Sequence, residues 1–369
     1  MKLEREHVLQ PGSRRRAGSV GRTRAYIALL LGAVMLALTG CTGGGGSEGP
    51  AQPAAEKGDV TLVVGAYSVV KDVFAELLPA FREEWKQQTG QTVVFQESYE
   101  ASGTQARAIV GGFEADVTLL AMEGDMEKVE KAGMITHDWR AKGTKGMVTR
   151  SIVVLGTREG NPLHIQDWTD LAKPGVKVLY PNPKTSGGAQ WDINAIYGAG
   201  LKASERQQGK PDPAFAKSFL ASIHHNVESL DKSGRASMAA FEYGVGDVIV
   251  TYENELLARI RHGVPYQIVV PEDTILIENP AAIIDRNVDK HGSREVAEAF
   301  IDFLYSDKAQ ELFMEYGFRP VTDHLKEQAA KRYIEPSGLF TIDDLGGWDE
   351  VRSKLYSARG IWYQVLAGF

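Results

Sequence analysis

Periodic alternation of apolar and polar positions begins at Val60. Val60–Ala66 is a β-branched apolar run of strand length, which predicts a buried strand. Lys71–Gln88 then switches to helical spacing, with Val73, Leu77, Leu78, Phe81 and Trp85 on one face and Gly90 at the position of a helix C′ residue. The same alternation predicts a strand at Thr92–Gln96, a helix from Ser102, a strand at Ala115–Leu120 and a helix at Glu123–Ala132. Strand and helix in turn, with short links, imply parallel βα units. Further on, strands are predicted at Ser151–Thr157, Val176–Tyr180, Asp247–Tyr252, Tyr266–Val270 and Ile283–Asp285. Helices are predicted at Trp168–Leu171, Gly188–Gly200, Arg294–Tyr305 and Lys308–Tyr316.

No short-period repeat is present, and 369 residues exceed one ordinary core. The expected fold class is α/β, with two lobes, mixed sheets and a ligand cleft where strand carboxyl ends meet helix N-termini. Lobe one is placed at 59–149 plus 263–369 and lobe two at 150–262. The terminal Leu339–Phe369 segment, with Trp348 and Trp362, is expected to pack on lobe one.

The chain ahead of Val60 follows other rules. Residues 1–24 hold seven Lys or Arg against Glu4 and Glu6, and Ala25–Gly40 is uncharged and mostly apolar. A basic stretch followed by a short apolar one is the layout of a secretory signal peptide, here residues 1–40; the apolar part is shorter than the ~20 residues of a comfortable membrane span. It ends in Leu38-Thr39-Gly40-Cys41, and Cys41 is the one cysteine of the chain. Leu-x-Gly-Cys after such a stretch resembles a bacterial lipobox, which implies cleavage before Cys41, lipidation of its thiol and an extracytoplasmic body held at the membrane. Residues 41–58 then read as a Gly- and Pro/Ala-rich linker with a span of about 20–25 Å. Beyond Cys41 no thiol remains for a disulfide or a cysteine metal site.

Charge narrows the function. The formal net charge is −7 for the whole chain and −12 without residues 1–40, which carry seven basic and two acidic side chains. Such a body is a poor general binder of nucleic acid. An anion would have to be held by local dipoles.

Four turns offer such dipoles. Pro181-Asn182-Pro183-Lys184-Thr185-Ser186-Gly187-Gly188-Ala189 joins a predicted strand to a predicted helix. Its prolines fix the chain, Ser186 can cap the helix, and Gly187 and Gly188 leave their N–H groups sterically open. Ser98–Gln105 repeats the arrangement with Ser102 at the helix start. Asp231–Ser237 is a small-residue turn around Gly234, and Gly65-Ala66-Tyr67-Ser68 ends the first strand. Each turn alone also reads as an ordinary capped turn. No phosphate-binding Gly-Lys-Ser/Thr ending and no His-Glu-x-x-His occurs, and neither Ser102 nor Ser186 has a recognisable histidine partner. No catalytic residue and no cofactor are expected, and the chain reads as a binding protein, not an enzyme. His224-His225 reads as a surface pair; Trp85, Trp139, Trp168 and Trp191 read as core.

From about Thr61 to Trp348 the chain resembles the sulfate/thiosulfate-binding proteins of ABC importers. The resemblance is carried by Ala101-Ser102-Gly103-Thr104-Gln105-Ala106-Arg107, by the Pro181–Ala189 motif, by Gly246-Asp247-Val248 with Glu253-Asn254-Glu255, by Asn287-Val288-Asp289-Lys290 and by Arg319-Pro320. It implies a type II periplasmic-binding-protein fold that works as a monomer with permease partners. It further implies a dehydrated sulfate held by Ser68 N–H, Ser102 N–H and hydroxyl, Ser186 hydroxyl, and the N–H groups of Gly187, Gly188 and Gly234. Where the family has Trp-Glu-Asn-Glu, this chain has Tyr252-Glu253-Asn254-Glu255, which exchanges a donor-only indole for a hydroxyl that also accepts. Tyr67-Ser68-Val69 stands for the family's Tyr-Asp-Pro, and Asp231-Lys232-Ser233-Gly234-Arg235-Ala236 for Asp-Ser-Gly-Ala-Arg-Gly. Thiosulfate, molybdate or tungstate, and phosphate remain alternative ligands. So do ferric iron, through Tyr197, Tyr243 and Tyr252, and an exported enzyme on the same scaffold.

Overall fold

A computed structural model describes residues 58–368. The segment read as a signal peptide, Cys41 and nearly all of the stretch read as a linker lie outside the described residues.

The first strand, β1 (Val60–Tyr67), is followed by one 3₁₀ turn at Ser68–Val70 and by α1 (Lys71–Thr89). α1 buries Val73, Phe74, Leu77, Leu78, Phe81 and Trp85, the stripe predicted by its spacing, and Gly90 ends it at φ 74°. Then come β2 (Val93–Glu100), α2 (Ser102–Val110), β3 (Val117–Leu119) and α3 (Glu123–Lys131), followed by the long β4 (Met147–Thr157). β5 (Val178–Pro181) leads into α4 (Gly187–Gln208) and α5 (Pro213–His224). β6 (Val227–Asp231), α6 (Gly234–Glu242), β7 (Val248–Tyr252), α7 (Glu253–Arg261) and β8 (Gln267–Val269) follow. β9 (Leu276–Ile283) precedes α8 (Asp285–His291), α9 (Arg294–Leu304) and α10 (Asp307–Glu315); Lys326–Arg332, Gly347–Val351 and Ile361–Leu366 are short helices after them.

The strands are ordered β2-β1-β3-β9-β4-β7-β5-β6, with β8 against β4. Pairing is parallel at both flanks, β2-β1-β3 and β7-β5-β6. At the centre it is antiparallel, through β3-β9, β9-β4 and β4-β7. β9 lends its end to β3 and its start to β4, and β4 lends its first half to β9 and its second to β7. Two long strands therefore join two smaller α/β groups, the two-lobed arrangement of mixed sheets. The parallel βα units form the flanks, and the antiparallel centre makes the sheet mixed, as expected.

Two local readings differ from the prediction. The strand expected at Ile283–Asp285 runs over Leu276–Ile283, and Asp285 opens a helix. Pro280 within it has no N–H to give the ladder, and the register against β4 shifts between Met147 and Thr149 at that point. The terminal segment, expected on lobe one, packs mainly on α4 and α5. Trp348 meets Trp191 edge-on at 4.9 Å, the Tyr356 hydroxyl donates to Asn194 Oδ1 at 2.8 Å, and Trp362 packs on Tyr180 and His224. The cause lies in α4, whose Trp191–Gly200 stretch is buried on every side; a helix with no polar face needs cover all round. Arg352 adds one tie to Glu127 of α3 at 2.8 Å.

Candidate functional site

The four turns singled out in the sequence meet at one cavity. Ser68, Ser102, Ser186, Gly188, Gly234 and Tyr252 all line it. Ser68 and Ser102 follow β1 and β2, whereas Ser186, Gly188, Gly234 and Tyr252 come from the β5–β7 group. The cavity measures about 20 Å³, above the ~10–15 Å³ that one water needs. A body of small-ion size suits it; a sugar or an amino acid does not.

Local sequence explains why the helix starts face inward. In the Pro181–Ser186 turn, Asn182 O accepts from Thr185 N at 3.1 Å and Ser186 N at 2.9 Å, and Asn182 N donates to Asp231 O at 2.8 Å. Thr185 Oγ1 donates to Lys232 O at 2.8 Å, which ties this turn to the one before α6. Ser186 caps α4 by accepting Ala189 N–H at 3.3 Å, and Ser233 caps α6 by accepting Ala236 N–H at 3.1 Å. Those caps engage the third amide of each helix. The amides of Gly187, Gly188 and Gly234 have no acceptor among the described residues, as the first turn of a helix requires. The Ser186 hydroxyl proton likewise has none.

Gly187 leaves little room for a side chain. A Cβ there would stand 3.0 Å from Ala121 Cβ and 3.2 Å from both Ser102 Cβ and Asp125 Oδ2. Gly187 stands between Ser186 and Gly188 of the cavity wall, where α4 meets the α2–α3 side. Gly234 is less confined, with Val69 Cγ2 at 3.6 Å as the nearest atom.

Ser102 differs from expectation in two ways. The N-cap of α2 is Ala101, and Ser102 is the first helical residue. Its hydroxyl donates to Asp125 Oδ2 at 2.7 Å and accepts Ala121 N–H at 3.0 Å. Only its N–H remains open toward the cavity. Asp125 lies 23 residues away, so nothing local in the sequence announces that bond.

Tyr252 ends β7 with 3% of its surface exposed, and its hydroxyl is buried with no hydrogen-bond partner among the described residues. Its Oη lies 3.9 Å from where a Gly188 Cβ would be. Burial, then the nearby Tyr67 and Asp192, push its phenol well up; Asn279 is near enough to lower it somewhat but bonds Thr149, Tyr67 and Ala121 instead, so the phenol is neutral. An orphaned buried hydroxyl is costly unless something occupies the space before it.

Among the described residues no Lys or Arg lines the cavity. Positive potential comes from the helix starts. The carboxylates nearby are Asp125, paired with Lys128 at 2.7 Å, Glu255, paired with Arg259 at 3.5 Å, and Asp192. Glu255 and Asp192 line the cavity and were not predicted as site residues. Asp192 could have been found, since it stands four residues after Gly188 on the same helix face and is the one charge in an apolar stretch.

Asn279 sits at the junction beneath the cavity. It accepts from Thr149 Oγ1 at 3.0 Å and Tyr67 Oη at 3.2 Å, and it donates to Ala121 O at 2.8 Å. Other motifs are structural. Glu253 is buried against Arg319, with Nε–Oε2 2.7 Å, and Asn287 Nδ2 donates to Ala115 O at 2.6 Å. The three tyrosines of the ferric reading do not meet: Tyr243 is 90% exposed, and Tyr197 is buried within α4, away from the cavity wall. Among the described residues no group of three His, Cys, Asp or Glu side chains is placed to hold a metal.

Residues 62–319 match the family model described as bacterial extracellular solute-binding protein. The chain is 38% identical over 347 residues to a sulfate-binding protein of Synechococcus elongatus, covering 92% of this chain and 96% of that one. It is 31% identical to a thiosulfate-binding protein of Escherichia coli, over 83% of this chain and 91% of the other. Among solved structures, the sulfate-binding protein SubI from Mycobacterium tuberculosis aligns with a TM-score of 0.73 and 35% identity, over 81% of this chain and all of that one.

Proposed function

The chain belongs to the bacterial extracellular solute-binding proteins, within their sulfate/thiosulfate-binding group, and we propose that it captures sulfate for an ABC importer through the cavity at the four helix starts. The observation that carries the site is the meeting of unpartnered helix-start amides and two hydroxyls, from Ser186 and Tyr252, around a small space with no cation in its wall. Hydrogen bonds from neutral donors to a charged acceptor are about twice as strong as neutral ones. A body of net charge −12 can hold a dianion in this way without repelling it by a local side-chain field.

In this reading Ser68, Ser102, Gly187, Gly188 and Gly234 give backbone N–H groups, and Ser186 and Tyr252 give O–H groups. Ligand favours closure of the two lobes because each supplies donors. Arg235 of α6, bonded to Asp72 of α1 at 2.8 Å, would hold the closed form. The protein acts as a binding partner of a permease and carries out no chemistry. Cys41 anchors it outside the cytoplasm by a lipid, which a Cys41→Ala variant released from the membrane would support and a retained one would refute.

Thiosulfate is the second ligand to weigh, given the similarity to a thiosulfate-binding protein. Isothermal titration with sulfate, thiosulfate, phosphate and molybdate separates them. The proposal requires saturable 1:1 binding with sulfate tightest or equal to thiosulfate. Tightest binding of phosphate or molybdate would overturn it.

A further inference from the structure

Three carboxyl groups stand at or beside the cavity, and two of them have a cation. Asp125 has Lys128 at 2.7 Å and Glu255 has Arg259 at 3.5 Å. The Asp192 carboxyl has neither a cation nor a hydrogen-bond partner among the described residues. It is 1% exposed, its Oδ1 is enclosed without a partner, and it forms part of the cavity wall.

The groups that surround it do not supply one. Its titratable neighbours are Tyr180 from β5, Tyr252 from β7 and Tyr356 after the Gly347–Val351 helix. Glu255 from α7 shares the cavity wall, and Asp125 from α3 lies beyond it. All are neutral or acidic. An ionised carboxylate cannot be kept dry and unpaired at such a place, and still less beside a bound dianion. Burial alone pushes Asp192 well above the usual carboxylate range.

We propose that Asp192 is a proton-bearing member of the anion site, whose carboxyl O–H donates to the bound sulfate. The proton is on the carboxyl before the ligand arrives and stays there, so no bond is made or broken. An acidic side chain then acts as a donor, beside Gly188 N–H and the hydroxyls of Ser186 and Tyr252. This rests on the sulfate-receptor reading above and deepens it.

Infrared spectroscopy of the protein at pH 7.5, with and without sulfate, tests the proton directly, and calorimetry of Asp192→Asn and Asp192→Leu tests the donation. A protonated-carboxyl carbonyl band is expected in the wild type, shifted when sulfate is added and absent in Asp192→Asn. The asparagine keeps an N–H donor and should bind sulfate within about threefold of the wild type. Leucine removes the donor and should weaken binding by about tenfold or more. A missing band, a band that sulfate leaves unmoved, or full affinity in Asp192→Leu would each overturn the proposal. If Asp192→Leu fails to fold, the band and its shift still decide. A wild type that does not bind sulfate would defeat the receptor reading instead, and the band in the free protein would still show whether Asp192 carries the proton.

Discussion

Replacing Ser186 with alanine removes one oxygen that has two roles, and the two can be measured apart. As a cap, Ser186 accepts Ala189 N–H at 3.3 Å, longer than the usual 2.9–3.0 Å for such a bond. Its loss should therefore lie near the low end of the N-cap range, about 0.5–1 kcal/mol. For a body of this size that lowers Tm by about 1–4 °C. As a donor, its free hydroxyl proton would make a hydrogen bond to a charged ligand, worth about 1.5–3 kcal/mol. The matching rise in Kd is about 10–150-fold. Calorimetric unfolding without ligand and titration with sulfate give both quantities on the same variant. The signature is a binding loss that exceeds the stability loss by a factor of about 1.5 or more. A Tm drop with sulfate affinity unchanged within threefold would make Ser186 a cap and nothing more.

Other variants separate room, donors and charge in the same site. Gly187→Ala should weaken sulfate binding by at least about tenfold, because its Cβ meets Ala121, Ser102 and Asp125. Gly234→Ala should stay within about threefold, since its nearest neighbour is at ordinary contact distance; equal effects in titration would argue against the close approach at Gly187. Tyr252→Phe should leave the ligand-free Tm unchanged or higher, as an orphaned hydroxyl is removed, yet lower sulfate affinity about tenfold; a fall in both would mean the hydroxyl has an internal partner. Because that hydroxyl can also accept, phosphate should compete measurably with sulfate in titration, whereas undetectable phosphate binding over roughly pH 5–8 would assign Tyr252 a donor role alone. Away from the site, burial would push the Asp285 carboxyl up, but Thr136 N–H at 2.7 Å, His137 and Arg294 hold it well below the carboxylate range. A depressed carboxyl stabilises the fold above its unfolded pKa of about 4 and loses that effect as pH falls toward its folded value. The wild-type Tm should accordingly drop more steeply below about pH 4 than that of Asp285→Asn, and parallel curves would reject the assignment.

What could be read from the sequence was local. Strand-to-helix turns rich in Ser and Gly announced the helix starts at Ser102 and Ser186, and the spacing of Val73, Leu77, Phe81 and Trp85 announced α1, whereas the segment at Gly234 reads only as a turn and the helix it opens carries no signal of its own. Features decided by distant partners stayed hidden. The Ser102 hydroxyl looked open until Asp125 and Ala121 closed on it from 23 and 19 residues away. β9 was concealed by Pro280, which looks like a strand breaker and is accommodated by a shift in the β4 ladder. The destination of the terminal segment depended on the Trp191–Gly200 stretch of α4 being buried on every side, which the sequence does not show because it does not say what lies on each side of the helix. Asp192, a single charge in an apolar helix, carries no motif, although its four-residue offset from Gly188 places it on the same helix face.

If a dianion is held by neutral donors at helix starts, a crystal structure of the sulfate complex will show it. The anion should lie in the cavity, bonded to N–H groups of Ser102, Gly187, Gly188 and Gly234 and to the Ser186 hydroxyl, with no Lys or Arg in contact. A sulfate bound by an arginine or lysine side chain, or seated outside that cavity, would contradict the account.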